Sequence, residues 1–321
     1  MTRYDATPWP GRGNETARIY LPYRRRRRDL VARCARTAGG NAGDWIPRHR
    51  VREHNGTAYS GVPPRPWRYD KLPSLAADLV QRNVAVVATI NTPSVLAAKG
   101  ATQTIPIVFA VGVDPIKFGL VESLKRPGGN LTGLTQLNIE MEAKRVQLLH
   151  ELVPSATTIG LLVNPTSPAY SEAATASAVS AARVLGIRLL ILNASTPSGI
   201  DAAFVTLANE RARLLLVSGD SFLVAQREQL VALAAQHAVP TLYHRREFTT
   251  IGGLMSYGPP LSEAYYHVGD YTGRILKGEK PANMPVYQST KFDLVINLKT
   301  AKALGIKLSS TLLATADEII E

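Results

Sequence analysis

Residues 84–90, Val-Ala-Val-Val-Ala-Thr-Ile, run straight into Asn91-Thr92-Pro93-Ser94, and the same pattern returns three more times along the chain. Residues 105–111, Ile-Pro-Ile-Val-Phe-Ala-Val, lead into Gly112-Val113-Asp114-Pro115. Residues 159–163 lead into Asn164-Pro165-Thr166-Ser167, and residues 214–217 into Ser218-Gly219-Asp220-Ser221. A continuous apolar run of this length is what a parallel strand needs when helices cover both of its faces. Each loop that follows is short, polar and placed before a segment with helical character. In open α/β sheets, ligands bind beyond the carboxyl ends of the strands, where helix starts present free N–H groups. None of the four loops carries a nucleophile with an evident base, a metal-ligand cluster or a long phosphate loop. They point to holding a small polar molecule.

Working outward from these runs, the pattern predicts a helix over 72–82 and a short helix over 94–99. A further short helix is expected at 118–124, closed by Arg126-Pro127-Gly128-Gly129-Asn130, then a strand at 131–135 and an amphipathic helix over 140–153. A second alternation follows: strand 158–163, helix 169–185, strand 187–192, helix 200–210, strand 214–217, helix 223–237 and strand 240–243. A glycine-bounded strand at 252–258, a long helix over 261–277 and a strand-into-helix unit at 292–304 complete the chain. Two alternating blocks split near 136–140 predict two doubly wound, Rossmann-like α/β lobes with a cleft between them. Two of the polar loops fall in each block, so loops from both sheets can face one solute, a geometry suited to hinge closure.

The chain has 321 residues and a formal net charge of +12. That charge is concentrated in residues 1–68, which hold 15 Arg, no Lys and five acids. The rest is nearly neutral, which argues against nucleic acid as a partner of the α/β body. The same 68 residues contain all three Trp, the single Cys (Cys34) and the five-arginine run 24–28. They show no helical or strand period, and so few apolar residues cannot offset the entropy of ordering. They are expected to form a solvated Arg/Pro/Gly-rich leader, or to be read from a frame other than the one selection shaped. No window has the layout of a signal peptide, no apolar run is long enough to span a membrane, and one cysteine excludes an internal disulfide.

Several blocks, in order, carry a resemblance. They are Ile105-Pro106-Ile107-Val108-Phe109-Ala110 with Asp114-Pro115, Gly119-Leu120-Val121, and Arg126-Pro127-Gly128-Gly129-Asn130-Leu131-Thr132-Gly133-Leu134-Thr135. Lys144-Arg145 with Leu148-Leu149, Leu162-Val163-Asn164-Pro165, Arg246-Glu247-Phe248, residues 252–258, and residues 291–302 from Lys-Phe-Asp-Leu-Val-Ile-Asn-Leu follow. As a set, over residues 69–321, they resemble the substrate-binding proteins of ABC transporters, in the group related to tryptophan/tyrosine-type binding proteins. The resemblance implies a type I periplasmic-binding-protein fold, an extracytoplasmic location, delivery of a small solute to the membrane permease subunits, no catalysis and no cofactor. It also implies that lobe one lacks its first strand–helix–strand unit at the N-terminus, because nothing in 1–68 matches one. The expected division is a leader at 1–68, lobe one at 69–138 with return segments about 256–282, lobe two at 139–255, and a C-terminal strand–helix unit at 283–321. The protein is expected to work as a monomer.

The candidate ligand-binding residues follow from the loops. Thr92 and Ser94 can meet a carboxylate at a helix start, and equally suit a helix cap. Asp114 and Asp220 can pair with an ammonium, or act as turn and capping residues. Asn164 with Ser167 offers a second polar helix start, and Tyr257 can stack on a ligand or sit in the core. No metal ligands are expected, since the six His show no metal spacing. Two other functions fit the same fold. A ligand-responsive transcription regulator needs a helix-turn-helix, which residues 1–68 do not show. An enzyme on a doubly wound fold needs a converging acid/base or nucleophile set, which is not visible.

Overall fold

The computed structural model describes residues 69–321. The expectations for residues 1–68 lie outside the described residues. After one 3-10 turn at Tyr69–Lys71, the chain forms α1 (Leu72–Gln81), β1 (Val87–Ile90), α2 (Thr92–Ala101), β2 (Ile107–Val111) and β3 (Leu131–Thr135). Next come α3 (Glu142–Leu152), β4 (Thr158–Val163), α4 (Pro168–Val184), β5 (Arg188–Asn193), α5 (Pro197–Asn209), β6 (Leu214–Val217), α6 (Ser221–Ala225) and α7 (Arg227–Gln236). Then follow β7 (Thr241–Tyr243), α8 (Arg246–Thr249), β8 (Met255–Gly258), α9 (Leu261–Leu276), β9 (Tyr287–Gln288), β10 (Asp293–Asn297), α10 (Leu298–Ala303), α11 (Ser310–Ala314) and β11 (Glu318–Ile320).

Two sheets organise these elements. The first has the order β1-β2-β3-β9, and every pair in it is parallel. The second has the order β11-β10-β8-β7-β6-β4-β5 and is parallel except where β10 pairs with β8. The continuous apolar runs have the cause expected of them. In β6, Leu214 and Leu216 join one core cluster with Leu161 and Leu149, while Leu215 and Val217 join another with Phe204 and Leu230. Successive side chains point to opposite faces, so a strand covered on both sides must be apolar at every position. Each fully buried Leu or Val contributes about 1.5–3 kcal/mol, so such runs are held firmly in register.

The chain crosses between the sheets three times. It leaves the first sheet after β3, builds β4 to β8 in the second, and returns as α9. Val268, Tyr271 and Ile275 of α9 pack with Val108, Ala110 and Leu134 of the first sheet. After β9 it crosses again to end as β10 and β11 of the second sheet. Gly133 in β3 shows how tightly the first sheet is built. Its φ is +152°, and a Cβ there would lie 2.0 Å from the Phe109 carbonyl oxygen.

Three local expectations are corrected. The helix expected at 118–124 is a series of turns: Gly119 adopts φ +63°, and Leu120 N–H bonds back to Pro115 O at 2.8 Å. The strand expected from residue 84 begins at Val87. Its register partner is Ile107, and Pro106 before it has no N–H to extend the ladder. The helix expected over 223–237 is two helices, α6 and α7, that meet at Gln226. The short elements β9, α8, α11 and β11 carry too few residues to leave a period in the sequence.

Candidate functional site

The carboxyl ends of both sheets face a cavity with about 430 Å³ of empty space, part of it open to solvent. On the first-sheet side it is lined by Ile90 at the end of β1 with Asn91, Thr92 and Pro93 after it, Ala110 of β2 with Gly112 after it, and Gln136 and Asn138 after β3. On the second-sheet side it is lined by Ser167 and Tyr170 after β4, Gly219, Asp220 and Ser221 after β6, and Arg245 after β7. Three of the four polar loops therefore reach the cavity with polar side chains, and the fourth reaches it only through Gly112.

Asn91 has φ +146° and ψ 161°, a region that side chains rarely occupy at a cost of order 1–3 kcal/mol. Its Oδ1 accepts from Ser94 N at 2.8 Å, and its carbonyl accepts from Val95 N at 3.2 Å. This bend sets Thr92 and Pro93 into the cavity wall and caps α2 from within. Pro93 has no N–H and that of Ser94 is taken, so among the first three helical residues only Thr92 keeps an N–H to offer.

Asp220 lines the opposite wall at 4% exposure. Its Oδ1 accepts from Asn164 Nδ2 at 2.9 Å and from Phe222 N at 2.8 Å, and its Oδ2 accepts from Tyr69 Oη at 3.0 Å. All three donors are neutral, and no cation stands within ion-pair distance of it among the described residues. Burial pushes its carboxyl above the usual range, and the hydrogen bonds from Asn164 and Phe222 pull the other way.

Arg245 comes from the second-sheet side, and its Nη2 donates to Gln136 Oε1 at 3.3 Å, joining the two halves. Its Nε donates to His244 Nε2 at 3.2 Å. Burial, with the charges of Arg245 and Arg145 nearby, holds His244 well below its ordinary pKa, so it is neutral and accepts through Nε2. Three buried atoms of cavity-lining residues make no hydrogen bond: Gln136 Nε2, Tyr170 Oη and Arg245 Nη1. Gly219 makes room for Tyr170, since a Cβ there would lie 2.4 Å from Tyr170 Oη.

Behind this cavity, Arg145 and Glu142 of α3 are fully buried. Arg145 Nε donates to Tyr257 O at 2.8 Å, Nη1 to Asn138 O at 2.9 Å and Nη2 to Asn138 Oδ1 at 3.3 Å. Asn138 lies on the first crossing between the sheets and Tyr257 at the end of β8, just before the second crossing, so one guanidinium ties the two. Glu142 Oε1 is 3.3 Å from Arg145 Nη1, an ion-pair distance without hydrogen-bond alignment. Burial raises the Glu142 carboxyl above its usual range and Arg145 lowers it.

The expected site residues are divided by this geometry. Thr92, Ser167 and Asp220 line the cavity. Asn164 stands behind Asp220 and orients it. Ser94, Asp114 and Tyr257 lie outside the lining. Asp114 Oδ1 accepts from Ile116 N and Lys117 N at 2.8 and 3.2 Å, and its Oδ2 is 3.9 Å from Lys117 Nζ on the surface. Its carboxylate is occupied by this turn, and it is not among the residues lining the cavity. Tyr257 tilts against Phe292 and contributes its carbonyl to Arg145. Gln136, Asn138, Tyr170 and Arg245 were not among the expected residues. Tyr170 sits in the first turn of α4 beside Ser167, and that proximity was the available signal. Arg245 adjoins the block Arg246-Glu247-Phe248 without belonging to it.

Two largely parallel sheets joined by three crossings, with a polar cavity between their strand ends, define the type I periplasmic-binding-protein fold. The profile of the family described as "ABC transporter substrate binding protein" matches residues 69–320. The chain belongs to that family. It is 29% identical over 239 residues to the tyrosine-binding protein of Clostridioides difficile, covering 74% of this chain and 68% of the relative. A solved structure described as an ABC domain in complex with L-Trp, from Streptococcus pneumonia, is 27% identical with a TM-score of 0.68, covering 78% of this chain and 84% of that one. The ligand-free, open structure of a substrate binding protein with adhesive properties from Clostridium difficile is 25% identical with a TM-score of 0.53, covering 78% and 83%. Substrate-binding proteins of this family are not an enzyme class. Among the described residues no helix is long and apolar enough to cross a membrane, and no group of His, Cys, Asp and Glu is placed to hold a metal ion.

Proposed function

We propose that this protein is the extracytoplasmic solute-binding component of an ABC importer, binding an amino acid or a close relative between its two sheets and delivering it to membrane permease subunits. It acts as a single copy, and the solute carries a protonated amine. The observation that carries this reading is Asp220, a buried carboxylate on the cavity wall whose partners are all neutral. A buried charge without a counter-charge is costly, and an ammonium entering the cavity supplies one. Thr92 and Ser167 contact the solute beside it, with Asn164 holding Asp220 in place. The relatives with tyrosine and L-Trp in their descriptions make an aromatic amino acid the first to try.

The test is titration calorimetry of the purified full chain with L-tryptophan, L-tyrosine and the other common amino acids, repeated on Asp220→Asn. A charged hydrogen bond is worth about 1.5–3 kcal/mol, so the substitution is expected to weaken the best ligand by roughly ten- to a hundred-fold. Unchanged affinity would remove Asp220 from the site and this reading with it.

A further inference from the structure

We infer that Gln136, Tyr170 and Arg245 together form a carboxylate-binding subsite, so that the solute's acid group bridges the two sheets across the cavity. This rests on the solute-binding reading above and adds to it a second anchoring point and a chemical class: the bound molecule bears a free carboxylate as well as an amine.

The argument begins with what each atom can do. Arg245 Nη1 is a donor only, is buried, and makes no hydrogen bond. No carboxylate stands within ion-pair distance of Arg245 among the described residues. Gln136 is 3% exposed, and its Oε1 accepts from Arg245 Nη2. That bond fixes the amide, because the flipped arrangement would set two donors against each other. Its Nε2 is therefore a donor, and it too is buried without a partner. Tyr170 is 5% exposed, and its hydroxyl is buried and unpartnered. Burial drives the phenol's pKa upward, so it keeps its proton and can donate. All three residues line the same cavity.

Three donors of this kind, one carrying a full positive charge, are expensive to bury unsatisfied. A carboxylate has two oxygens with about four acceptor positions and one negative charge, so it answers all three donors and the charge. An amide or hydroxyl answers some donors but leaves the guanidinium charge uncompensated. Two helix starts at the cavity are other candidate seats; that of α4 opens on Pro168, which has no N–H, and the remaining one is the start of α2. The start of α2 is filled from within by Asn91 and interrupted by Pro93, leaving it fewer free donors than the trio presents. Gln136 follows β3 of the first sheet, while Tyr170 and Arg245 belong to the second-sheet side. A carboxylate held by all three therefore adds contacts across the cavity only when the sheets are together, which couples binding to closure.

The experiment compares acids with their amides on the full chain. The twenty L-amino acids are ranked by thermal shift, with calorimetry of L-tryptophan and L-tyrosine against L-tryptophanamide and L-tyrosinamide, or of the best acid and its amide where another ranks first. The native protein is expected to bind the acid on the order of ten- to a hundred-fold more tightly than the amide. In Arg245→Met the acid-to-amide ratio should collapse toward one while the amide's own affinity changes little. Tyr170→Phe removes one hydroxyl and keeps the ring's packing, so it should fold normally and lower the ratio part of the way. Equal binding of acid and amide by the native protein overturns the subsite while leaving the solute-binding reading intact. A ratio that survives in both variants overturns the assignment to these side chains. If none of the twenty amino acids binds, both the reading and the subsite fall.

Discussion

Replacing Arg145 by leucine should destabilise the protein by an amount that grows as the pH rises. Arg145 makes three buried hydrogen bonds, at 2.8, 2.9 and 3.3 Å, and an ion pair with Glu142 at 3.3 Å. Leucine takes away all four, leaving the carbonyls of Asn138 and Tyr257 without this donor and Glu142 buried without a counter-charge. Removing one partner of a buried pair typically costs about 3–5 kcal/mol. Part of that is avoidable, because Glu142 can take up a proton. In the native protein, burial already raises the Glu142 carboxyl and Arg145 restrains the rise; without Arg145 it goes higher. An acid whose folded pKa exceeds its unfolded value binds its proton more tightly when folded. Its contribution is fully present below the unfolded pKa and is lost as pH rises through the folded one. The penalty in Arg145→Leu should thus be smaller near pH 5 than near pH 8, by about 1.4 kcal/mol for each unit that the pKa rises further. Urea unfolding followed by circular dichroism at the two pH values measures this. Adding Glu142→Leu to the variant removes the stranded charge and should recover most of the loss at pH 8. An equal penalty at both pH values, or a double variant no more stable than the single one, would refute the reasoning.

Three further outcomes are expected. Gly219→Ala puts a Cβ 2.4 Å from Tyr170 Oη and 3.2 Å from His244 Cδ2; displacing the phenol should cost roughly 1–3 kcal/mol in stability and weaken solute binding, both measurable on one preparation. Asp114→Asn should leave solute affinity unchanged in calorimetry, because its carboxylate serves a turn at the surface and not the cavity. Affinity for an amine-bearing solute should fall as the pH drops into the acid range. Burial raises the Asp220 carboxyl, so the charge that meets the ammonium is lost at a higher pH than for an exposed aspartate, and Asp220→Asn should flatten that dependence in titrations from pH 7 to pH 4.

Most of the fold is legible in the chain because its cause is local. The runs at β4 and β6 are placed at their observed boundaries since a strand covered on both faces has to be largely apolar, and β3 is placed by the Pro-Gly-Gly-Asn turn that precedes it. Where a neighbour sets the limit, local pattern fails. Val84, Ala85 and Val86 are as apolar as β1, yet pairing waits for Ile107 beyond Pro106. Leu120 and Val121 are apolar and buried, but Gly119 turns the chain, and they pack as a folded-back loop instead of a helix.

The site divides the same way. A polar loop after an apolar strand can be recognised from residue types alone, and three residues picked out that way, Thr92, Ser167 and Asp220, line the cavity. Asp114 and Asp220 are equivalent by that criterion, each an acid in the loop after a strand, and only packing separates them. One caps a surface turn beside Lys117, and the other is enclosed by Asn164, Tyr69 and the start of α6. Arg245 and Gln136 are 109 positions apart and meet because the chain crosses between the sheets and returns both strand ends to one cavity. By itself the sequence determined the alternation of strands and helices and the kind of loop that closes each strand, since these follow from burial period and turn chemistry over a few residues. Which of those loops share a cavity, and which buried donors are left there without partners, was decided by the sheet order and the three crossings, because that convergence is a long-range contact with no local energy to write it into the chain.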